Sequence, residues 1–197
     1  MSSTEASSER SPRLFVAFDV PDDIRSLVEQ ALRPIRDRFP RARWVPVENQ
    51  HVTVRFLGAT PPDRVSLVVA ALGGTAARHG PFSTRTTRLG AFPSARRARV
   101  LWVGLDDTDG RAKAIAADLD AALAPAFEPE TRPFTPHLTV ARFDPPVGLD
   151  AVTDEIAVES RPFDVGALRL YRSHLGRGAP RYEPLASEPL GGEVEGR

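Results

Sequence analysis

Apolar and polar residues alternate along several short segments of this chain, and other segments carry an apolar residue every three or four positions. Alternation is typical of half-buried strands, and the longer spacing is typical of amphipathic helices. The pattern predicts helices beginning at Pro21 and Pro61 and a third helix over 109–123, with Pro34 kinking or shortening the first. It predicts strands at 13–19, 50–57, 82–89, 98–105, 135–143, 163–172 and 181–186.

This mixture of many strands and few helices predicts an α+β fold. One short motif occurs once in each half of the chain, so we expect two α+β lobes related by an approximate two-fold axis, with their sheets meeting at a cleft. We expect one domain at 12–188, preceded by a disordered tail at 1–11. A glycine- and glutamate-rich flexible tail is expected at 189–197.

Composition narrows the class of protein. The 197 residues are 41% hydrophobic and 26% charged, as in an ordinary soluble globule, and they include no cysteine for a disulfide or a thiolate metal site. No apolar run approaches the roughly 20 residues that cross a membrane, and the first ten residues lack the apolar segment of a secretory signal. Net charge is zero, which does not favour a broad nucleic-acid surface. We expect a cytoplasmic protein that acts as a monomer.

The repeated motif is His51-Val52-Thr53-Val54, which returns as His137-Leu138-Thr139-Val140. Residues i and i+2 of a strand lie on one face, so each copy presents an imidazole beside a hydroxyl. A lone His-x-Thr on a strand is usually a partly buried structural histidine. Two copies in matching strands, each followed closely by an arginine (Arg55 and Arg142), instead indicate a pair of histidines that work together.

Paired histidines suit proton transfer near neutral pH, because imidazole titrates around pH 6.5. One neutral ring can accept a proton from water while a protonated ring donates one to a leaving oxygen, as in-line displacement at phosphorus requires. Thr53 and Thr139 would then donate hydrogen bonds to the non-bridging oxygens. Such chemistry predicts a bell-shaped pH profile with limbs on either side of neutrality. A zinc site built from His51, His137 and Asp19 is an alternative, although the spacing of zinc motifs is missing.

At these residues the chain resembles the two-histidine (2H) phosphoesterase superfamily. Within it, the chain is most similar to the bacterial and archaeal RNA 2′,3′-cyclic phosphodiesterases, historically called 2′-5′ RNA ligases. The resemblance covers all but the two tails and rests on the segments 13–19, 44–58, 92–94 with 99–104, 134–142, and 170–173 with 181–185.

The resemblance implies a bilobal fold in which mostly antiparallel sheets line a central cleft, the motifs face each other there and helices lie outside. It also implies opening of a 2′,3′-cyclic phosphate to a 2′-phosphomonoester with no metal and no cofactor. His51 would be the proton donor to the leaving 3′ oxygen, and His137 the proton acceptor that activates water. Arg142 would help to hold the phosphate, and Arg181 and Tyr182 are weaker candidates for contacts with base or backbone.

The implied partners are RNA ends or short oligonucleotides that carry a 2′,3′-cyclic phosphate. A phosphodiesterase for small cyclic nucleotides, a 2′-5′ RNA ligase and a non-catalytic nucleotide- or RNA-binding module remain alternatives. The other two histidines, His79 and His174, are expected in loops away from the site.

Overall fold

A computed structural model describes residues 11–176 and 178–191, and this part of the chain forms nine strands and four α-helices. The strands are β1 (Arg13–Asp19), β2 (Arg43–Trp44), β3 (His51–Ala59), β4 (Phe82–Phe92), β5 (Ala98–Leu105), β6 (His137–Val147), β7 (Pro162–Val165), β8 (Ala167–His174) and β9 (Arg181–Pro189). The helices are α1 (Asp22–Arg38), α2 (Val65–Ala76), α3 (Arg111–Leu123) and α4 (Asp150–Glu155).

The strands form one continuous sheet in the order β7-β4-β5-β6-β3-β1-β8-β9, with β2 beside β6. The strand pairs are antiparallel, and the helices pack their apolar faces on the outer side, which confirms the α+β fold class. One detail differs from expectation. The two motif strands, β3 and β6, are neighbours at the centre of this sheet and do not face each other from separate sheets.

The approximate two-fold relation between the halves is visible in the strand order, with four strands on each side of the β3–β6 junction. In each half a strand, a helix and a motif strand follow one another: β1, α1 and β3 in one, β5, α3 and β6 in the other. Asp19 of β1 lies opposite His51, and Gly104 of β5 lies opposite His137. The two histidines therefore occupy equivalent positions, but only one faces a carboxylate.

Gly166 divides the strand predicted at 163–172 into two strands that belong to different halves of the sheet. β7 pairs with β4 at one edge, whereas β8 pairs with β1 and β9 near the other edge. Because a single residue joins strands so far apart in the sheet order, the sheet has to curl into a half-barrel. Its concave side is the cleft.

The core lies between the convex side of the sheet and the helices. The apolar stripe predicted on the first helix is buried as expected, with Ile24, Val28, Leu32 and Ile35 in contact with the sheet. Pro34 does not end that helix, which continues to Arg38, and Pro34 itself is exposed. None of the helices described is both long and apolar enough to cross a bilayer.

Several element boundaries differ from the predicted ones. β4 runs on to Phe92 and β6 to Val147, and the short helix α4 has no counterpart among the predicted elements. Leu190 is buried and its N–H donates to the carbonyl oxygen of Gly166, so the folded part continues past residue 188. Residues 1–10 and 192–197 of the predicted tails lie outside the described residues, and the domain limits remain a prediction.

Arg55 of β3 holds the end of α3 and the following loop against the sheet. Its side chain is 10% exposed, with Nε 2.8 Å from Oδ1 of Asp120, NH1 3.7 Å from Oε2 of Glu130, and NH2 donating to the carbonyl oxygen of Glu128. We expect Arg55→Ala to lower the free energy of unfolding by about 1–3 kcal/mol, because the partly buried Asp120 carboxylate loses its arginine partner. Urea denaturation measures this loss.

The matched control is Arg99→Ala, which removes an exposed arginine that pairs at 3.6 Å with Asp144. An exposed pair contributes little, so this variant should unfold within about 0.5 kcal/mol of the wild type. Equal stability of the two variants would contradict the role given to Arg55.

Candidate active site

The two motifs lie side by side on the concave face of the sheet. Val52 and Leu138 form a direct antiparallel pair, and both are buried in the core. The residues on either side of each therefore project into the cleft, and antiparallel register places His51 opposite Thr139. His137 lies opposite Thr53 in the same way. Each imidazole thus has a hydroxyl beside it on its own strand and another across the strand pair.

Both histidines are oriented by a backbone carbonyl two residues earlier in the chain. Nδ1–H of His51 donates to the oxygen of Asn49 at 2.8 Å, and Nδ1–H of His137 donates to the oxygen of Thr135 at 2.7 Å. A carbonyl only accepts, so Nδ1 carries the proton in both rings. Nε2 is left to face the cleft as a base when neutral and as an acid when protonated. At His51 this nitrogen lies 3.0 Å from Oγ1 of Thr53.

Aromatic rings enclose His51. Phe15 stacks on its imidazole with centroids 4.7 Å apart, and Tyr182 approaches edge-on at 5.2 Å. This burial lowers the pKa of His51 from 6.5 to about 4, even though the Asn49 hydrogen bond and the Asp19 carboxylate act in the opposite direction. Without substrate, His51 is therefore neutral at pH 7.

Asp19 is the carboxylate nearest to the histidine pair in the sheet register, and both its oxygens are engaged. Tyr171 donates to Oδ1 at 2.6 Å, and Nε of Arg169 lies 2.9 Å from Oδ2. Across the described ranges, no three His, Asp or Glu side chains are grouped so that they could hold a metal ion. The zinc arrangement of Asp19 with His51 and His137 is therefore not formed.

A second aromatic group lies beside His137. Phe92 meets the ring edge-on at 5.1 Å, and Trp102 lies 5.9 Å away on the neighbouring strand. The indole rests directly over Gly90, where a Cβ atom would come within 2.2 Å of the ring, so only glycine fits there. Phe92 remains 37% exposed at the rim of the cleft. Burial lowers the pKa of His137 as well.

A one-residue bulge follows the threonine in each motif strand, at Val54 in β3 and at Val140 in β6, and shifts the side-chain alternation. In each strand, the first residue after the bulge faces the helices and the second residue after it faces the cleft. In β3 these two positions hold Arg55 and Phe56. Arg55 therefore does not belong to the site, contrary to the interpretation that an arginine completes each motif. In β6 the same shift brings Arg142 to the cleft.

Arg142 is placed where its charge acts on both histidines. It contributes to the lowered pKa of His51 and of His137, and it opposes the rise that burial causes in the pKa of Tyr182. Its guanidinium has no hydrogen-bond or ion-pair partner among residues 11–176 and 178–191. A permanent cation beside two neutral imidazoles favours an anion in the space between them.

Tyr182 and Arg181, both predicted to contact substrate, are placed differently. Tyr182 lies against His51. The loop before Tyr182 is held to the turn that precedes the first motif strand, because Asn49 donates to the carbonyl oxygen of Pro180 at 2.6 Å. Arg181 instead lies opposite His174 on the hairpin of β8 and β9, away from the histidine pair.

The two remaining histidines lie beside carboxylates outside the site. His174 lies 2.5 Å from Glu183, on a strand and not in the predicted loop, and His79 lies 2.8 Å from Asp118 of α3. Neither ring is brought to the cleft.

Sequence reasoning missed two exposed aromatic side chains of the cleft, Phe56 and Phe92. One signal was available for the first. Phe56 follows His51 by five residues, as Arg142 follows His137, so aligning the motifs beyond their fourth residue would have placed Phe56 at the position of the phosphate-binding candidate.

Comparison with known proteins agrees with this geometry. The family model of the 2′-5′ RNA ligase superfamily matches residues 20–177, which include both motifs. The chain belongs to this superfamily. The match confirms the family that the motifs predicted.

A curated relative from Geobacillus stearothermophilus, an RNA 2′,3′-cyclic phosphodiesterase, is 28% identical over 93% of this chain and 59% of its own length. This chain thus spans less than two thirds of that relative. Further relatives of the same name are matched over 80% to 98% of their length.

Two solved structures share the fold. A Thermus thermophilus protein has a TM-score of 0.75 and 28% identity, with 92% of this chain and 100% of the other covered. E. coli LigT in complex with 3′-AMP has a TM-score of 0.70 and 26% identity, with 91% and 98% covered. The superfamily fold therefore holds for this chain over nine tenths of its length.

Proposed function

We propose that this protein hydrolyses the 2′,3′-cyclic phosphodiester at the end of an RNA to a 2′-phosphomonoester. The observation that carries the proposal is the antiparallel pair of His-x-Thr motifs, which presents two Nε2 atoms and two hydroxyls to one cleft. The activity of the relatives named RNA 2′,3′-cyclic phosphodiesterase supports the substrate class. The nucleotide bound to LigT supports a nucleotide-sized cleft.

In the proposed reaction, His137 accepts a proton from water through Nε2 as the water oxygen attacks phosphorus. The bond from phosphorus to the 3′ oxygen breaks, and His51 donates its Nε2 proton to that oxygen. The products are a 2′-phosphomonoester and a free 3′ hydroxyl. Exchange of protons with solvent returns both histidines to their starting states. Ligation to a 2′-5′ bond would be the same displacement with the 5′ hydroxyl of a second RNA in place of water.

One charge distinguishes His51 as the proton donor. The Asp19 carboxylate raises the pKa of His51, while no carboxylate contributes to the pKa of His137. The anionic cyclic phosphate adds a second negative charge beside the ring. Because the pKa of His51 is only about 4 in the free protein, the donor becomes protonated when substrate binds and not before.

Thr53 and Thr139 are proposed to donate hydrogen bonds to the two non-bridging oxygens, and Arg142 to balance their negative charge. Exposed aromatic rings lie on both sides of the histidine pair in the cleft. Phe56 is 52% exposed beside Phe15, at a centroid distance of 6.0 Å, and Phe92 lies beyond His137. Such rings stack well on nucleobases.

The same proposal includes a monomeric cytoplasmic enzyme. Both motifs and all the side chains assigned to the reaction come from one copy of the chain, so a second copy is not needed to complete the site.

The test is the product formed from an RNA oligonucleotide with a 2′,3′-cyclic phosphate, measured by ³¹P NMR in the presence of EDTA. We expect a 2′-phosphomonoester at an undiminished rate. A 3′-phosphomonoester would reject the assigned leaving group, and loss of turnover in EDTA would revive the zinc alternative. Binding without turnover would leave only the non-catalytic binding module.

A further inference from the structure

The short strand β2 places a second arginine next to Arg142. Arg43 lies directly opposite Arg142 in the antiparallel pair of β2 and β6, and its neighbour Trp44 lies opposite Ala141. Residues opposed in this way share a face, with Cβ atoms about 4.5–5.5 Å apart. Ala141 is buried in the core, and Trp44 donates Nε1–H to the oxygen of Phe39, so this pair occupies the core side. Arg43 and Arg142 share the cleft side.

Two cations in this relation repel each other, and like charges directly opposite destabilise a sheet. Neighbouring arginines are neutralised: Arg36 lies 2.6 Å from Glu29, and Arg99 lies 3.6 Å from Asp144. No carboxylate in the described part of the chain forms an ion pair with Arg43 or Arg142. Two adjacent guanidinium groups without a carboxylate suit an anion with several oxygens, and a phosphodiester is such an anion.

The two arginines differ in their relation to the histidines. Arg142 affects the pKa of both histidines, whereas Arg43 does not contribute to either. Arg43 is therefore one step further from the reacting phosphorus. If the cyclic phosphate lies between the histidines, a second phosphate has to lie outward along β6 to reach the guanidinium of Arg43.

The terminal nucleotide of an RNA offers such a second phosphate, one ribose away from the cyclic one, on its 5′ oxygen. We propose that Arg43 binds this 5′-phosphate, while Arg142, which lies between Arg43 and the histidines, stays with the cyclic phosphate. The site thereby selects the end of an oligonucleotide over a nucleoside 2′,3′-cyclic phosphate. This inference rests on the proposed function and adds which substrates the site prefers.

The experiment compares two small substrates, adenosine 2′,3′-cyclic phosphate and the same nucleotide with an additional 5′-phosphate. We expect the wild type to favour the 5′-phosphorylated form in kcat/KM by about 10- to 100-fold, the range expected of hydrogen bonds to a charged group. Arg43→Ala should abolish this preference while hydrolysing the unphosphorylated substrate as fast as the wild type. Arg43→Lys should restore part of it.

The matched control is Arg41→Ala, an exposed arginine two residues earlier that lies outside β2; it should keep the full preference. Arg43→Ala should also melt at the same temperature as the wild type or higher, because a repulsion has been removed. Equal rates on both substrates for the wild type, or a preference that survives in Arg43→Ala, would overturn the inference. Hydrolysis of neither substrate, and of no cyclic-phosphate oligonucleotide either, would reject the proposed function itself.

Discussion

His51→Ala and His137→Ala are each expected to lower kcat by about 10²–10⁴-fold on a cyclic-phosphate oligonucleotide. Each variant lacks one of the two proton transfers. Water can enter the space left by the imidazole, but it is not held in place by the hydrogen bond that orients each histidine. The double variant should be about as slow as the slower single variant, since the two groups act in one step. Single-turnover kinetics measure the chemical step directly.

His79→Ala is the matched control, because this histidine pairs with Asp118 on the outer side of the sheet; we expect unchanged turnover. Undiminished activity of either cleft variant would contradict paired acid–base catalysis. A similar loss in all three variants would indicate a general effect on folding.

The same two histidines determine how kcat/KM depends on pH. Each ring is charged below its pKa, and the singly protonated pair is most populated between the two values. Because burial lowers the pKa of both, to about 4 for His51, kcat/KM should be highest below pH 6.5. This replaces the expected profile with limbs on either side of neutrality. Once substrate is bound its negative charge raises both pKa values, so kcat should peak at a higher pH.

Arg142→Ala is expected to lower kcat/KM by about 10²–10³-fold, the usual result of removing one group that stabilises developing charge. It should also raise the pKa of both histidines, because the guanidinium lowers both in the wild type. NMR titration of the imidazole protons measures this shift without substrate. Loss of activity and an upward shift of both pKa values should therefore occur together.

The comparison variant is Arg99→Ala, which removes a cation from the adjacent strand without changing the charge felt by the histidines. Neither its activity nor its histidine titration should change. Arg142→Lys should keep the titration of the wild type but recover only part of the rate, since lysine lacks the planar fork that binds two phosphate oxygens. An active Arg142→Ala variant with shifted pKa values would separate the electrostatic effect from phosphate binding.

The sequence predicted the part of the site that depends on local alternation. His51 and Thr53 share a face because they are two residues apart on a strand, and the buried Val52 between them follows from the same rule. The neighbourhood of each histidine could not be predicted in this way. Phe15 and Tyr182 enclose His51 from strands far away in sequence, and this burial decides its pKa.

The bulges account for the wrong interpretation of Arg55. Simple alternation from Thr53 places Arg55 in the cleft, but the additional residue at Val54 reverses the faces beyond it. The same reversal at Val140 brings Arg142 to the site, where alternation from Thr139 would have turned it away. An arginine near each motif was visible in the sequence, while the side to which each one turned depended on strand pairing.

The link at Gly166 has a consequence for the order in which the protein takes shape during synthesis. The half of the sheet formed by β4, β5, β6 and β7 is complete once residue 165 has emerged, and it contains His137 and Arg142. The other half has to wait for β8, whose pairing with β1 closes a loop of about 150 residues and is slow to form, and for β9, which pairs with β8. Until then β1 lacks its second neighbour, and Tyr182 is missing from the aromatic rings around His51. The aromatic surroundings that bury His51 are therefore completed last, after β9 has been synthesised.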